Sequence, residues 1–459
     1  MKNIKTYFNR LTDSNLSLWK NDDFKKPLLL RGARQVGKSS SVRNLGKSFP
    51  YFIEINLEEN NGIHTLFNEN NSIESICAKL EIAFNIPIIE GETLLFLDEI
   101  QSCPNAITAL RYFYEQKPNL HVIAAGSLLE FALETLPSFG VGRIRTLFIY
   151  PFSFDEFLLA MQEERLLELK RKATIESPLD LIFHQKLIDY FKQFLIIGGM
   201  PEVIARFAIH KNYLEAQQVL DDLLISLKSD FAKYKKRVPS NRINEVFESV
   251  SKQMGGKFIY TKIGNHLTNL QIKEALHLLI LSGLVIPVTH TAGNGIPLGA
   301  EIDIKKRKML LLDTGLFQRV LGLDISSIVL ENNFELINKG AIAELFFGLE
   351  WLKYSSPFSQ NELYYWHREN KTGNAEVDYI VQKNSTILPV EIKSSNSGAM
   401  QSLRIFLKEK NIPKGVRFSL ESFSSLDDVA IYPLYAVSSF FESKISNSHK
   451  ISKIIILVN

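Results

Sequence analysis

A chain of 459 residues is longer than one ordinary domain, and its 45% hydrophobic and 22% charged residues allow each domain a normal core. The net charge of +3 excludes a globally basic protein, so any surface for nucleic acid must be local. The two cysteines, Cys77 and Cys103, match no metal-ligand spacing and exclude a disulfide framework. We expect a cytoplasmic protein with no membrane partner, because the first residues lack a signal-peptide core and the longest apolar run, 276–288, is too short to cross a bilayer.

The first third of the chain alternates strand and helix signals. Strands are predicted at 27–31, 51–57, 93–100, 121–126 and 145–150, and helices from Lys38, at 73–84 and at 105–115. Nearly continuous apolar strands separated by helices are typical of a parallel sheet covered on both faces. We therefore predict an α/β domain over residues 1–151.

A glycine-rich turn follows the first predicted strand. Residues 32–39 read Gly-Ala-Arg-Gln-Val-Gly-Lys-Ser and satisfy the phosphate-binding pattern G-x-x-x-x-G-K-[ST]. Glycines let backbone N–H groups surround phosphate oxygens, Lys38 supplies a cation for the β- and γ-phosphates, and Ser39 offers Mg²⁺ a hydroxyl ligand. The helix that begins here points its positive end at the anion. We predict nucleotide binding by Gly32, Ala33, Arg34, Gln35, Val36, Gly37, Lys38, Ser39 and Ser40.

Two acidic residues, Asp98 and Glu99, lie at the end of the apolar run 94–97. Asp98 is predicted to bind Mg²⁺, directly or through water, and Glu99 to polarise the attacking water as a catalytic residue. The alternative is a pair of exposed acids at a strand end. The complete phosphate-binding turn upstream favours the catalytic interpretation.

Two further residues each have two interpretations. Ser127 follows the predicted strand 121–126, where it could contact the γ-phosphate of the nucleotide or cap the next helix. Arg143 could act as an arginine finger, in its own subunit or a neighbouring one, or lie on the surface. The sequence has no Asn-Lys-x-Asp base-reading motif, which favours ATP over GTP.

Helical periodicity dominates from Phe152 onward. Helices are predicted at 154–165, 179–197 and 214–234, with a turn at Gly198-Gly199-Met200-Pro201, which gives a helical, lid-like block over 152–235. Residues 236–325 then read as helix, short helix, helix and β-hairpin. This order suits a winged-helix-like module, and an α+β packing module is the alternative that stays open.

Residues 330–459 are predicted to form a separate small α/β domain. A helix at 340–352 precedes strands at 363–368, 375–381 and 387–392, and a helix at 398–407 follows. Glu391 and Lys393 share a strand face because they are two residues apart, and Asp378 could join them from the neighbouring strand. Glu344 lies in an otherwise mostly apolar helix, where a carboxylate is costly unless it is paired or metal-bound.

This C-terminal set has the chemistry of a metal-dependent nuclease. Carboxylates can hold Mg²⁺ against a scissile phosphate while a lysine activates water. We predict Glu344, Asp378 and Glu391 as metal ligands and Lys393 as the catalytic lysine. A solvent-facing strand edge would give the same pattern, and such a domain could also bind without cutting.

Together these motifs resemble the AAA-type ATPases of bacteria and archaea that carry a C-terminal PD-(D/E)XK nuclease-like domain. The resemblance is carried by the phosphate-binding turn and the segments 97–101, 126–127, 150–157, 198–201 and 390–394. It implies a P-loop AAA-type ATPase core with ATP and Mg²⁺ as cofactors. It also implies a restriction-endonuclease-like fold at 330–459.

We therefore predict an Mg²⁺-dependent AAA-type ATPase coupled to DNA binding or processing. Two basic runs, 233–237 and 305–308, could contact phosphates or be solvated faces. The alternative function is a signalling-type NTPase switch whose C-terminal domain is a non-catalytic protein-interaction module, without salt-dependent DNA affinity. A nuclease with a vestigial ATPase is disfavoured by the intact Lys38, Asp98 and Glu99. Both a homo-oligomer and an unidentified protein partner stay open.

Overall fold

The computed structural model describes residues 7–442, except 69–70, 135–141, 235–237, 265, 325–338, 371–372, 384 and 396–399. The chain divides into two compact units. The first consists of Met1–Phe152, Leu278–Leu284 and Ser356–Gln360, and the second of Ser153–His277, Val285–Ser355 and Asn361–Asn459. Within the described part of the chain, no helix is long and apolar enough to cross a membrane.

A five-stranded sheet forms the centre of the first unit. Its strands are β1 (Leu28–Arg31), β2 (Tyr51–Asn56), β3 (Thr93–Asp98), β4 (His121–Ala125) and β5 (Arg145–Phe148). They pair in the order β2-β3-β4-β1-β5, and every pairing is parallel. All residues of β3 and β4 are buried, which agrees with their continuous apolar sequence. The predicted parallel α/β sheet is confirmed.

The first helix of this unit precedes β1, and the next four lie between successive strands. They are α1 (Leu11–Lys20), α2 (Lys38–Gly46), α3 (Ile73–Phe84), α4 (Pro104–Gln116) and α5 (Leu129–Leu133). Apolar side chains of α3 and α4 join those of β3 in one buried core that includes Leu80, Leu95, Leu97, Leu110 and Phe113. This core fixes the carboxyl end of β3, where Asp98 lies.

The second unit begins with a run of helices. They are α6 (Phe154–Ala160), α7 (Glu164–Lys172), α8 (Leu181–Ile197), α9 (Pro201–His210), α10 (Tyr213–Asp230) and α11 (Ser240–Lys252). The later helix α12 (Asn269–Leu281) has residues 269–277 in this unit and 278–281 in the first, and α13 (Thr314–Val320) follows it. Ser153 caps α6 through a capping box with Glu156. Lys170 of α7 donates to Asp155 of α6 at 2.6 Å, and both side chains are almost fully buried.

The Gly198-Gly199-Met200-Pro201 turn joins α8 to α9 and is fixed by a buried aspartate. Asp313 accepts hydrogen bonds from the N–H groups of Gly199 at 2.6 Å and Leu316 at 3.0 Å. Gly198 has a φ of +74°, and a Cβ there would overlap the Asp313 carboxylate. The turn therefore requires glycine both for its backbone conformation and for this close approach.

An eight-stranded sheet forms the rest of the second unit. Its strands are β6 (Val285–Thr291), β7 (Ile302–Leu311), β8 (Leu363–Asn370), β9 (Gly373–Lys383), β10 (Thr386–Ile392), β11 (Gly415–Ser419), β12 (Ser424–Leu426) and β13 (Val429–Pro433). Their order is β12-β13-β11-β10-β9-β8-β6-β7. Helices α14 (Lys339–Tyr354), α15 (Gln401–Lys410) and α16 (Val437–Glu442) complete the unit.

The β6–β7 hairpin, predicted as part of a winged-helix-like module, belongs to this sheet. It pairs in parallel with β8 through Val288, Thr289 and His290. Residues assigned from sequence to 236–325 and to 330–459 thus contribute strands to one sheet. The hairpin places β7 at the edge of the sheet.

Candidate functional site

The turn between β1 and α2 has the backbone conformation of a phosphate-binding loop. Gly32 and Gly37 have φ values of +140° and +97°, and Gln35 adopts the left-handed region at +63°. A Cβ at Gly32 would overlap the carbonyl oxygen of Ile149. Glycine at position 32 is therefore required by both conformation and space.

Lys38 is held inside this loop. Its Nζ donates to the carbonyl oxygens of Gly32 at 2.9 Å and Ala33 at 2.7 Å, and the residue is only 7% exposed. Burial lowers the pKa of Lys38 to about 8, against the opposing effect of the Glu99 and Asp98 charges. The loop thus holds a cation whose charge is not fully compensated by its surroundings.

Ser39 and Asp98 meet beside this lysine. The Ser39 hydroxyl donates to Asp98 Oδ2 at 2.6 Å, and Asp98 Oδ1 accepts from the N–H of Glu99 at 3.0 Å. Burial raises the pKa of Asp98, and the bond from Ser39 partly offsets this. A hydroxyl and one carboxylate, completed by water and nucleotide phosphates, form the kind of oxygen set that Mg²⁺ prefers. The residues fit Mg²⁺, and their roles as its ligands stay predictions.

Glu99 is held by hydrogen bonds from two partners. Its Oε2 accepts from the Ser127 hydroxyl at 2.9 Å, from the Ser127 N–H at 3.2 Å and from Gln101 Nε2 at 2.6 Å. Burial acts to raise the pKa of Glu99, but these bonds and the Lys38 charge outweigh it and lower the pKa. The carboxylate therefore stays ionised, as a residue that polarises water requires.

These contacts give Ser127 a position that neither sequence interpretation described. Ser127 contacts Glu99, and Leu128 is the N-cap of α5. Sequence reasoning also assigned no role to Gln101, although it follows Glu99 by two residues. The left-handed backbone of Glu99, with φ of +48°, starts the short 3₁₀ turn that contains Gln101. A γ-phosphate contact for Ser127 stays a prediction.

Arg143 pairs with Glu115 near the end of α4, and its side chain is 41% exposed. The arginine-finger role stays a prediction.

A different arginine, Arg10, supports the loop and was missed by sequence reasoning. Its guanidinium donates to the carbonyl oxygens of Val36 at 3.2 Å and Tyr150 at 2.8 Å.

The second predicted site, in the second unit, contains an unexpected lysine. Lys308 Nζ lies 3.2 Å from Glu344 Oε2 and 3.8 Å from Asp378 Oδ1, and it also pairs with Glu376. Its side chain is only 3% exposed. The basic run 305–308 is therefore not a uniformly solvated face, because Lys308 is buried. The side chains of the other run, 233–237, lie outside the described residues.

Glu391 and Lys393 lie side by side, as their spacing predicted. Lys393 Nζ donates to Glu391 Oε1 at 2.6 Å, and Asp378 Oδ2 accepts from the N–H of Ile392 at 2.8 Å. Burial raises the pKa of Glu391 to about 7, and the Asp378 charge adds to the effect. Burial likewise raises the pKa of Glu344, and the nearby Lys308 charge opposes this shift. The metal-ligand roles of Glu344, Asp378 and Glu391 and the catalytic role of Lys393 stay predictions.

Three segments of the chain match protein-family models. Residues 24–158 match the model described as AAA domain. The match supports an AAA-type domain in this part of the chain. Residues 188–327 and 339–436 match models described as domains of unknown function, DUF8612 and DUF4143. The AAA match contains the predicted nucleotide-binding loop, Asp98 and Glu99, and it supports at this general level a nucleotide-binding P-loop ATPase.

Comparison with solved structures gave distant similarities. Unliganded Pif1 from Bacteroides sp. is 16% identical with a TM-score of 0.22, and the match covers 37% of this chain and 50% of that chain. The Aeropyrum pernix ORC1 protein in complex with DNA is 12% identical with a TM-score of 0.23, covering 70% and 92% of the two chains. Drosophila ORC bound to DNA is 15% identical with a TM-score of 0.24, covering 68% and 86%. These TM-scores are too low to establish a shared fold. Comparison with curated proteins gave no match.

Proposed function

We propose that the chain is an Mg²⁺-dependent AAA-type ATPase that hydrolyses ATP and couples this to DNA binding or processing through its C-terminal domain. The observation that carries the hydrolytic part is the Ser39–Asp98 hydrogen bond of 2.6 Å beside the buried Lys38. This contact joins a hydroxyl and a carboxylate, two ligand types that Mg²⁺ prefers, at the loop proposed to bind phosphate.

The residues of the loop have separate tasks in this proposal. Lys38 exchanges the carbonyl oxygens of Gly32 and Ala33 for phosphate oxygens, which gives its charge a stronger partner. Ser39 and Asp98 would hold Mg²⁺, which supplies charge neutralisation on the phosphates when bound. Glu99 orients and polarises the attacking water.

Release of Glu99 from its hydrogen bonds is part of the same proposal. In this structure its Oε2 is engaged by Ser127 and Gln101. Contact with a water in line with the γ-phosphate requires a carboxylate oxygen that faces the nucleotide. We propose that nucleotide binding redirects Ser127 and thereby changes how Glu99 is held.

Glu99→Gln tests the hydrolytic role. The amide keeps the size of the side chain but cannot act as a base, so we expect retained ATP binding and a loss of hydrolysis of at least about 100-fold. Lys38→Ala should lose ATP binding. The matched control is Glu164→Gln, an exposed acid of α7, which should hydrolyse ATP like the wild type. Undiminished phosphate release by Glu99→Gln would contradict the assignment.

The DNA-coupling part rests on the C-terminal domain. Helix α14 and strands β9 and β10 carry Glu344, Asp378 and Glu391, which is the acidic set that the nuclease-like resemblance implies. On the edge strand β7, Lys305 is exposed and Lys306 is partly exposed. These lysines offer a local basic surface despite the small net charge.

Duplex DNA binding measured over a series of salt concentrations tests this part. Each neutralised phosphate steepens the dependence of log K on log salt by about 0.9. We expect the double variant Lys305→Ala/Lys306→Ala to reduce that slope by about 2. Absence of salt-dependent DNA affinity in the wild type would favour the signalling switch with a protein-interaction module.

A further inference from the structure

Lys308 places a fixed positive charge among the carboxylates of the C-terminal domain. It belongs to the edge strand β7, where it is paired with Val288 of β6, and a β-bridge with Lys257 holds its backbone on the other side. Its ammonium lies 5.3 Å from the centre of the Tyr365 ring. The backbone pairing and the ring together direct the side chain inward.

The carboxylates compensate for the burial of this ammonium. Burying an unpaired charge is very costly, so a lysine that is 3% exposed requires close anionic partners. Glu344, Asp378 and Glu376 provide them, because each places a carboxylate oxygen within ion-pair distance of the Lys308 ammonium. The ammonium and the carboxylates therefore compensate for each other's burial.

These contacts engage both oxygens of Asp378 and one oxygen each of Glu344 and Glu391, the carboxylates that a metal ion would need. Glu344 Oε2 and Asp378 Oδ1 face Lys308, Asp378 Oδ2 accepts from the Ile392 N–H, and Glu391 Oε1 accepts from Lys393. Glu391 Oε2 is buried without a hydrogen-bond partner in the structure, but one oxygen does not make a divalent-metal site. In the described ranges, no group of three or more acidic, histidine or cysteine side chains could hold a metal ion.

The residues therefore do not fit the resident divalent cation that the nuclease-like resemblance implies. A bound Mg²⁺ would place two positive charges beside an ammonium that cannot move to solvent without leaving its three partners. We propose that Lys308 is a built-in counter-cation in place of a metal ion, so that the C-terminal domain binds nucleic acid without cutting it. The proposal rests on the proposed function in taking this domain as the nucleic-acid-binding part.

Counting bound Mn²⁺ on the full chain without nucleotide tests the counter-cation directly. Electron paramagnetic resonance should show the same number of sites in the wild type and in Glu391→Gln. Lys308→Met should gain one Mn²⁺ per chain, and adding Glu344→Gln should remove it. The matched control Lys305→Met changes an exposed lysine of the same strand and should gain none.

Two outcomes of this Mn²⁺ count would overturn the proposal. One is a Mn²⁺ site of the wild type that is lost in Glu391→Gln, a comparison that does not depend on whether Lys308→Met folds. The other is a folded Lys308→Met, verified by circular dichroism, that gains no Mn²⁺. Because Mn²⁺ is counted without ATP or DNA, this result is independent of failure of the ATPase or DNA-binding proposal.

Cleavage of labelled DNA gives a second readout. With Mg²⁺ or Mn²⁺, with or without ATP, we expect no cutting by the wild type. Metal-dependent cutting that disappears in Lys393→Ala would overturn the proposal, because it would require a working metal site next to that lysine.

Discussion

ATP binding is expected to take up protons near pH 8, because Lys38 is buried before the nucleotide arrives. Burial lowers the pKa of Lys38 to about 8 from its ordinary value of 10.5, a difference that corresponds to roughly 3 kcal/mol for charging the amine. Phosphate oxygens favour the charged form and raise the pKa of Lys38 again when they bind. At pH 8, binding should therefore add roughly 0.5 proton per chain, compared with about 0.1 at pH 7.

Isothermal titration calorimetry in buffers of different ionisation enthalpy measures this uptake. The Glu99→Gln background prevents hydrolysis during the titration, and saturating Mg²⁺ keeps the nucleotide in one form. The control is Lys38→Arg, whose guanidinium is always charged and should take up no proton. Two results would refute the reasoning about the buried Lys38 amine. One is no proton uptake on ATP binding at pH 8, and the other is the same uptake with and without the additional Lys38→Arg substitution.

Three further predictions concern packing. Gly32→Ala places a Cβ against the Ile149 carbonyl oxygen and should weaken ATP binding, measured with a fluorescent nucleotide, at least about tenfold. Unchanged affinity would contradict the claim that position 32 requires glycine. Lys170→Met leaves the buried Asp155 carboxylate without its main partner and should lower the free energy of unfolding, measured in urea, by about 3–5 kcal/mol. Adding Asp155→Leu should recover most of this loss, and a loss below about 1 kcal/mol in Lys170→Met would contradict the importance of the pair. Burial raises the pKa of the Cys77 thiol to about 11, so the folded protein should not react there with a disulfide reagent at pH 8, whereas rapid reaction would show that this core opens.

The ATPase sheet was predictable because its signals are local. Buried parallel strands are continuous apolar runs, and the predicted helix 73–84 has the bounds of α3. Helix α9 was missed because Gly198-Gly199 suggested an extended turn, although Pro201 at its first position is a common helix start. Strands β11, β12 and β13 were not predicted either, and they are short segments within the final part of the chain.

The two sites differ in how far the sequence could describe them. Lys38 and Ser39 were predicted from a spaced motif and Asp98 from its place at the end of an apolar strand, and the fold brings Ser39 and Asp98 into contact. Lys308 looked like one cation in an exposed run, because its acidic partners lie on α14 and β9, far along the chain. Only the pairing of β6 with β8 brings that hairpin into the same sheet.

The most direct test of the central claim is steady-state ATP hydrolysis by the full chain, titrated with duplex DNA at low and at high salt. The proposed coupling predicts Mg²⁺-dependent turnover that is absent in Lys38→Ala and that changes with DNA at low salt but much less at high salt. Turnover that is independent of DNA at every salt concentration would contradict the coupling. A wild-type protein that binds ATP with Mg²⁺ but releases no phosphate under any of these conditions would contradict the ATPase assignment itself.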